Sequence, residues 1–407
     1  MNLASLSAGY LRARPLQTAL SLLLLSLGVA TIILLLLVVN QLEERMTRDA
    51  QGIDLVVGAK GSPMQIILSG IYQLDVPTGN IPLAAVRALQ KNSLVKKVMP
   101  LGMGDSWRGY RIIGAGHEYP AHYGATLAAG RLWQAPMEAV LGADVARRTG
   151  YGVGGRFVGV HGVGGEGEEH TEFPYTVVGV LARTGTVLDR LVLTPMESVW
   201  RVHEHEREEE AEEAKAAGRT QERKSPEPEV TVLLVQYASP LAAATLPREI
   251  NSQTALQAAS PAYETARLFR IAGVGVEALR AFAVVLIAAA ALSVFIALYT
   301  ALEERRYDLA IIRTLGGSPG QLFGMLLGEA AILAAASAAI GLVLGHAFAW
   351  ALGLWLHAQQ QYPVTGAVFL GEEVLVLVAA VGIALLAALP PAWSAYRTDV
   401  SQILARG

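Results

Sequence analysis

From Leu16 to Val39 the chain runs for about 24 residues without one charged side chain, most of them Leu, Ile and Val. An α-helix rises 1.5 Å per residue, so roughly 20 apolar residues cross the ~30 Å hydrocarbon core of a bilayer. Three further stretches meet this length. One lies between Arg280 and Glu303. One begins near Gln321 and reaches about Leu356, broken only by Glu329 and His346. The last runs from Val374 to Tyr396, with Pro390 and Pro391 near its end. The pattern predicts an integral membrane α-helical protein with four transmembrane helices, arranged one plus three. The first run exceeds the roughly 7–15 residue core of a signal peptide, and Asn40, Gln41, Leu42, Glu43 and Glu44 offer no small-x-small cleavage site. A retained anchor is the expectation.

Lys and Arg near span ends set orientation. Arg12 and Arg14 precede the first run, Arg305, Arg306 and Arg313 lie between the second and third, and Arg397 and Arg406 follow the fourth. The loop from His357 to Glu373 has neither Lys nor Arg and carries Glu372 and Glu373. All four placements agree on cytoplasmic termini, a cytoplasmic loop over 303–320, and an extracytoplasmic segment from about 41 to 270. The expected organisation is therefore 1–40 as lead-in and first span, 41–270 as an outer domain, and 271–407 as three spans with the loop. Bacterial inner membrane is the expected location.

The outer segment is long enough for one large domain or two smaller ones. Short or alternating apolar runs predict strands at Ile53–Val57, Tyr110–Gly114, Tyr175–Leu181, Arg190–Thr194 and Val230–Tyr237. Helical patterns fall at Ile81–Gln90, Gly142–Thr149 and Pro195–His203, with Pro82 and Pro195 suited to a first helical turn. The mixture reads as an α+β extracytoplasmic domain. Leu241–Arg270 is expected to be helical and to continue into the second span. From 203 to 229 the chain carries ten acids and five bases with almost no apolar residue, which cannot bury a core and reads as a solvated, flexible insertion.

Composition closes several doors. A net charge of −3 gives no case for a nucleic-acid partner. Cysteine is absent, so disulfides and thiolate metal ligands are excluded. The eight histidines, His117, His122, His161, His170, His203, His205, His346 and His357, all fall on the outer side or in the outer half of the membrane region. His203 and His205 beside Glu204 and Glu206, or His161 and His170 flanking a Gly/Glu loop, offer imidazole and carboxylate donors of the kind zinc accepts. No fixed spacing defines a closed site, and ordinary surface histidines are the plainer reading.

The cytoplasmic loop reads Glu303-Glu304-Arg305-Arg306-Tyr307-Asp308-Leu309-Ala310-Ile311-Ile312-Arg313-Thr314-Leu315-Gly316-Gly317-Ser318. Leu309, Ile311, Ile312 and Leu315 supply apolar positions on a short helix among charged ones, and Gly316, Gly317 and Pro319 end it. Alone, this describes an interfacial helix with snorkelling arginines or a face for a cytosolic partner. No GxxxxGK(S/T) run occurs, so any ATPase must act in trans. No HExxH occurs either, and no enzyme activity is expected.

This loop resembles the signature of FtsX/MacB-type ABC permeases, ERR-x-(D/E)-(I/L)-A-(I/L)-(I/L)-R-x-(L/M)-G after the second span. The opening around Ser5, Leu6, Arg12, Arg14 and Pro15 is similar to the family's basic lead-in. Pro391-Ala392-Trp393-Ser394-Ala395-Tyr396-Arg397-Thr398-Asp399 resembles its end, with Val400 where the family has Pro. Asp54 to Gly61 and Asp75 to Asn80 resemble one branch of its outer domain. The resemblance implies a permease that transmits ATP-driven motion to an extracytoplasmic domain, as in lipoprotein trafficking or export from the periplasm. It implies a homodimer with a cytosolic ABC ATPase, a periplasmic lipoprotein or adaptor as further partner, and ATP with Mg on the ATPase and no cofactor on this chain. Glu304, Arg305, Arg306, Asp308, Ile312, Arg313, Leu315 and Gly316 become the ATPase-coupling residues.

The third span carries Gly320, Gly324 and Gly328 at four-residue spacing, then Gly341 and Gly345. Small residues on one face let helices approach closely in lipid. Glu329 follows the stripe, and a carboxylate at that depth costs ~2.5–3.5 kcal/mol unless it faces protein or a polar cavity. Packing within a bundle or along a dimer seam is the expectation. Two other functions stay open: a signalling scaffold that activates a periplasmic cell-wall hydrolase, and a component of a zinc-handling system.

Overall fold

Backbone amides in a bilayer find no water, so an apolar run must pair them within itself as a helix. The computed structural model, which describes residues 15–162, 170–205, 228–304, 311, 313–358 and 364–397, has four such helices. They span Pro15–Asp49, Pro261–Glu304, Pro319–Ala358 and Gly371–Tyr396. The first two reach well beyond their apolar runs. In the first, the extension consists of good helix formers and carries a Glu44–Arg48 ion pair of 3.0 Å at i,i+4. The chain divides into two compact units, one ending at Leu42 and resuming at Ala272, the other running from Glu43 to Ile271. The division falls inside the first and second helices.

In the helical unit, Val29, Ile33 and Leu37 of the first helix cluster with Ile287 of the second and Ala380 and Ala384 of the fourth. Glycines set how closely the helices meet. A Cβ at Gly341 would lie 2.7 Å from Val29 Cβ and 2.8 Å from the Ser26 carbonyl oxygen. One at Gly345 would lie 2.7 Å from Ile33 Cγ2. The stripe therefore splits. Gly341 and Gly345 are buried against the first helix, Gly328 is half-buried, and Gly320 and Gly324 are exposed with no atom within 4 Å of their missing side chains. Glu329 is buried at 3% exposure. Several polar side chains pair within the unit. The Gln41 amide donates to the Thr365 carbonyl at 2.8 Å and accepts from its N–H at 2.9 Å, and His346 bonds the Gly366 carbonyl and the Glu373 carboxylate.

The outer unit opens with β1 (Leu55–Ala59), α1 (Pro63–Gly70), β2 (Ile81–Pro82), α2 (Leu83–Gln90), β3 (Val95–Trp107) and β4 (Tyr110–Ala115). It continues through α3 (Glu118–His122), β5 (Leu127–Gly130), β6 (Glu138–Leu141), α4 (Ala143–Thr149), β7 (Arg156–Phe157), β8 (Val160–His161), β9 (Tyr175–Leu181) and β10 (Val192–Thr194). A helix over 196–205, α5, precedes β11 (Glu229–Val230), β12 (Val232–Tyr237), α6 (Pro240–Gln253) and β13 (Leu256–Ala259). The main sheet runs β13-β1-β12-β3-β4-β10-β6-β9-β5, with β7 on β9 and β8 on β3. Two apolar clusters fill it. One joins Leu55, Val57, Val86, Leu233, Leu246 and Ile250. The other joins Trp107, Ile112, Leu141, Phe157, Tyr175 and Val192, with Phe157 stacked between Trp107 and Tyr175.

Several expectations need correction. Leu241–Arg270 is not one helix. The Thr254 hydroxyl and N–H both bond Ile250 O, ending α6, and Leu256–Ala259 then pairs with β1 before Pro261 starts the next helix. Pro82 does not occupy a first helical turn. It sits at the N-cap of α2 with ψ 145°, and Ile81–Pro82 forms a strand with Glu229–Val230. The charged insertion lies outside the described residues except at its two ends.

The turn between β5 and β6 is closed by Glu138, whose carboxylate accepts from the Arg131 guanidinium at 2.8 and 2.5 Å and from the Gln134 and Ala135 N–H groups. Arg131 first, then the two amides, hold its pKa down to about 2 from 4.5. A depressed carboxylate stabilises the fold above its unfolded value and loses that contribution as pH falls towards its folded one. Acid titration of thermal unfolding should show stability lost from about pH 4.5 towards pH 2. Arg131→Ala should flatten that segment of the profile; an unchanged profile counts against the assignment. In the membrane unit, Gly341→Leu forces a side chain into the first helix, an overpacking that costs about 1–3 kcal/mol. The thermal midpoint of the solubilised protein should fall, while Gly324→Ala leaves it in place.

Candidate functional site

Glu304 closes the second helix, and Arg305, Arg306, Asp308 and Ile312 lie outside the described residues. Beyond them, a helical turn ends at Gly316. Leu315 N–H bonds Ile311 O at 3.0 Å and Gly316 N–H bonds Arg313 O at 3.2 Å. Gly316 has φ +98°, a conformation in which a Cβ is strained. Ser318 and Gln321 then form a reciprocal cap, the Gln321 side chain accepting from Ser318 N–H at 2.8 Å and Ser318 Oγ from Gln321 N–H. The third helix thus starts abruptly at Pro319. Leu315 stands 82% exposed on this turn, an apolar side chain available to a partner.

The outer unit holds the far ends of the first two helices. Asp49, the last residue of the first helix, is buried, and its carboxylate accepts from Val187 N–H at 2.7 Å. Tyr123 O–H donates to the Asp49 carbonyl at 2.7 Å. Thr265, in the first turns of the second helix, meets the Tyr72 hydroxyl at 2.6 Å. Arg190 in turn donates to the Tyr72 carbonyl at 2.6 Å. Burial pushes the Tyr72 hydroxyl up to about 12, so it stays a neutral hydrogen-bonding group at any physiological pH. One residue, Ser260, separates β13 from the second helix, and β13 pairs with β1 through Val56↔Ala259 to Ala59↔Leu256. The strand that follows the first helix and the strand that precedes the second are neighbours.

The histidines sort differently from their order in the chain. His161 pairs with Asp105 across the β8–β3 ladder. His161 Nδ1 lies 3.8 Å and His170 Nε2 3.5 Å from Asp105 Oδ1. One ligand atom from each of Asp105, His161 and His170 falls within 4.8 Å of the others. The His203 ring stands 6.0 Å from that of His161, over Gly104, where only a hydrogen leaves it room. His205 turns away to Glu172 Oε2 at 2.8 Å and to the Phe173 ring. His203 and His205 therefore do not act as a pair, because residues two apart on a helix face different sides. Asp105 escapes sequence reading: its partners lie far along the chain, and Gly104-Asp105-Ser106 has no ligand spacing. Below the cluster, burial and then the Asp105 charge raise the Tyr175 hydroxyl above its ordinary value.

Comparison with known proteins accords with this layout. The chain matches the FtsX-like permease C-terminal family over residues 280–400 and the MacB-like periplasmic core domain family over residues 18–253, the second alone spanning more than half of it. The chain belongs to the FtsX/MacB-type family of ABC transporter permeases. It is similar to the periplasmic region of MacB from Actinobacillus actinomycetemcomitans, at 13% identity over 54% of this chain and 95% of that one, with a TM-score of 0.34. It is also similar to the extracellular domain of the noncanonic ABC-type transporter YknZ from Gram-positive bacteria, at 14% identity over 51% and 98%, with a TM-score of 0.28. No curated protein sequence matches it. Membership makes the chain a transporter permease component and implies a cytosolic ABC ATPase as partner.

Proposed function

We propose that this permease is a mechanical transmitter, which carries ATP-driven motion from a partner ATPase through its helices to the outer domain. The segment 304–316 receives the ATPase, which holds the ATP and Mg. The second helix carries the displacement outward, and β13 and β1 convert it into a change of the sheet. The single residue between β13 and the second helix is the observation that supports this reading best, because a connection without slack passes on whatever the helix does. The fastening of Asp49 to Val187 and of Thr265 to Tyr72 supports it further. The spans carry few polar residues that could line a hydrophilic path. The work is done on an extracytoplasmic lipoprotein or export adaptor, by a homodimer in the bacterial inner membrane with both termini in the cytoplasm, as the distribution of Lys and Arg supports.

Hydrogen exchange on the complex of this chain with its ATPase tests the transmission. Adding ATP should change protection in β1 and β13. Asp49→Ala combined with Tyr72→Phe should remove most of that change while ATP hydrolysis continues. Equal protection with and without nucleotide in the native complex would overturn the reading.

The dimer has its own test, which the absence of cysteine makes clean. Gly324→Cys, on the exposed part of the glycine stripe, should cross-link two copies under oxidation in native membranes. Gly341→Cys, buried within one chain, should not. Monomer from both variants sinks this seam.

A further inference from the structure

Asp105, His161 and His170 belong to no part of the transmission path, and their convergence is independent of that reading. We propose that they form a binding site for a divalent transition metal of the zinc type on the outer domain. The donor set is two imidazole nitrogens and one carboxylate oxygen. That set suits zinc and its neighbours and does not suit calcium or magnesium, which take oxygen ligands almost throughout.

The spacing suits a tetrahedral ion. Ligands each about 2.0–2.2 Å from such an ion stand roughly 3.3–3.6 Å from one another. The Asp105–His170 separation of 3.5 Å already lies in that range; His161 stands 3.8 Å from Asp105, and with all three donor atoms within 4.8 Å of one another its imidazole must swing inward to close on the ion. Side-chain rotation supplies that without moving the backbone.

The backbone that carries these donors is fixed independently of any ion. Asp105 and His161 are register partners in adjacent antiparallel strands, so their side chains share one face of the sheet. Gly162 N–H bonds Gly104 O at 2.8 Å, and His170 N–H bonds Gly159 O at 3.0 Å, which returns the chain to the strand it left. Gly159 lies beside the Asp105 carboxylate, where a Cβ would sit 3.6 Å from Oδ2 and 3.2 Å from Ile112. Exposure is graded across the three donors: the side chains are 4% exposed for Asp105, 11% for His170 and 53% for His161. The ion would enter from the His161 side and seat against Asp105. The His203 ring of α5 stands 6.0 Å from that of His161, beside the donors, and a bound metal would tie β3, β8 and the His170 segment together.

The test uses the purified full-length chain, stripped of metal and titrated with zinc by calorimetry and with cobalt(II) by absorption. One equivalent should bind at micromolar concentration, and cobalt should give the intense visible bands of a four-coordinate site. His161→Ala is the primary variant, because its half-exposed side chain can be removed without opening the core. It should weaken zinc binding about tenfold or more, as should His170→Ala. His205→Ala, whose imidazole is engaged by Glu172, should bind as the parent does. Apo thermal midpoints of His161→Ala and the parent should agree, which separates lost ligation from lost folding. Failure to bind zinc at micromolar concentration would overturn the proposal. So would binding that His161→Ala and His170→Ala leave intact, since the metal would then sit on other histidines.

Discussion

Strands β1 and β13 pair along their length, Val56 opposite Ala259 and Val57 opposite Ala258, and each adjoins a membrane-crossing helix. The rest of the outer unit is built on this junction. β12 adds to β1, β3 adds to β12, and the sheet extends from there to β5. Hydrogen bonds brace the junction, and the one to the Asp49 carboxylate is buried. Asp54 N–H bonds Val235 O, Val187 N–H bonds the Asp49 carboxylate, and Tyr72 meets Thr265. Removing one partner from a buried pair leaves the other desolvated, at about 1–3 kcal/mol. The outer unit is thus fastened to both helices by groups that are expensive to separate.

The sequence revealed most about elements whose signal is local. Four apolar runs of membrane length stand out because hydrocarbon tolerates no other backbone solution. β9 is legible from Tyr175 to Leu181 because its burial alternates residue by residue, as a strand with one wet face must. β3 is hidden for the opposite reason. It lies in the interior of the sheet, between β12 and β4, and carries Lys96, Lys97, Pro100, Gly102 and Gly104, which break any alternation. β13 is hidden because Leu-Gln-Ala-Ala has weak strand preference and is held extended by its pairing with β1. The helix assumed to span it was a fair reading of propensity that tertiary pairing overrides.

The candidate sites divide along the same line. Gly316 at φ +98°, ahead of a Ser318–Gln321 cap, follows from a Gly-Gly-Ser-Pro string whose chemistry is contained within a few residues. The histidine cluster depends on Asp105, more than fifty residues before its nearest partner in the chain. The reading of His203 and His205 as a pair rested on nearness in sequence, which the helical period contradicts. What long-range pairing decides, single-sequence patterns do not reach.

Ser260 has a mechanical meaning that sets this permease apart from one whose domains hang on linkers. Its N-terminal neighbour is locked into a ladder, and its C-terminal neighbour is a proline with φ already fixed. Swivel at that point is confined to the serine itself. In the proposed transmission a helix held in this way acts as a shaft: turning it about its long axis twists the strand, as pushing it displaces the strand. The second helix, on that reading, delivers torque as well as thrust to β13.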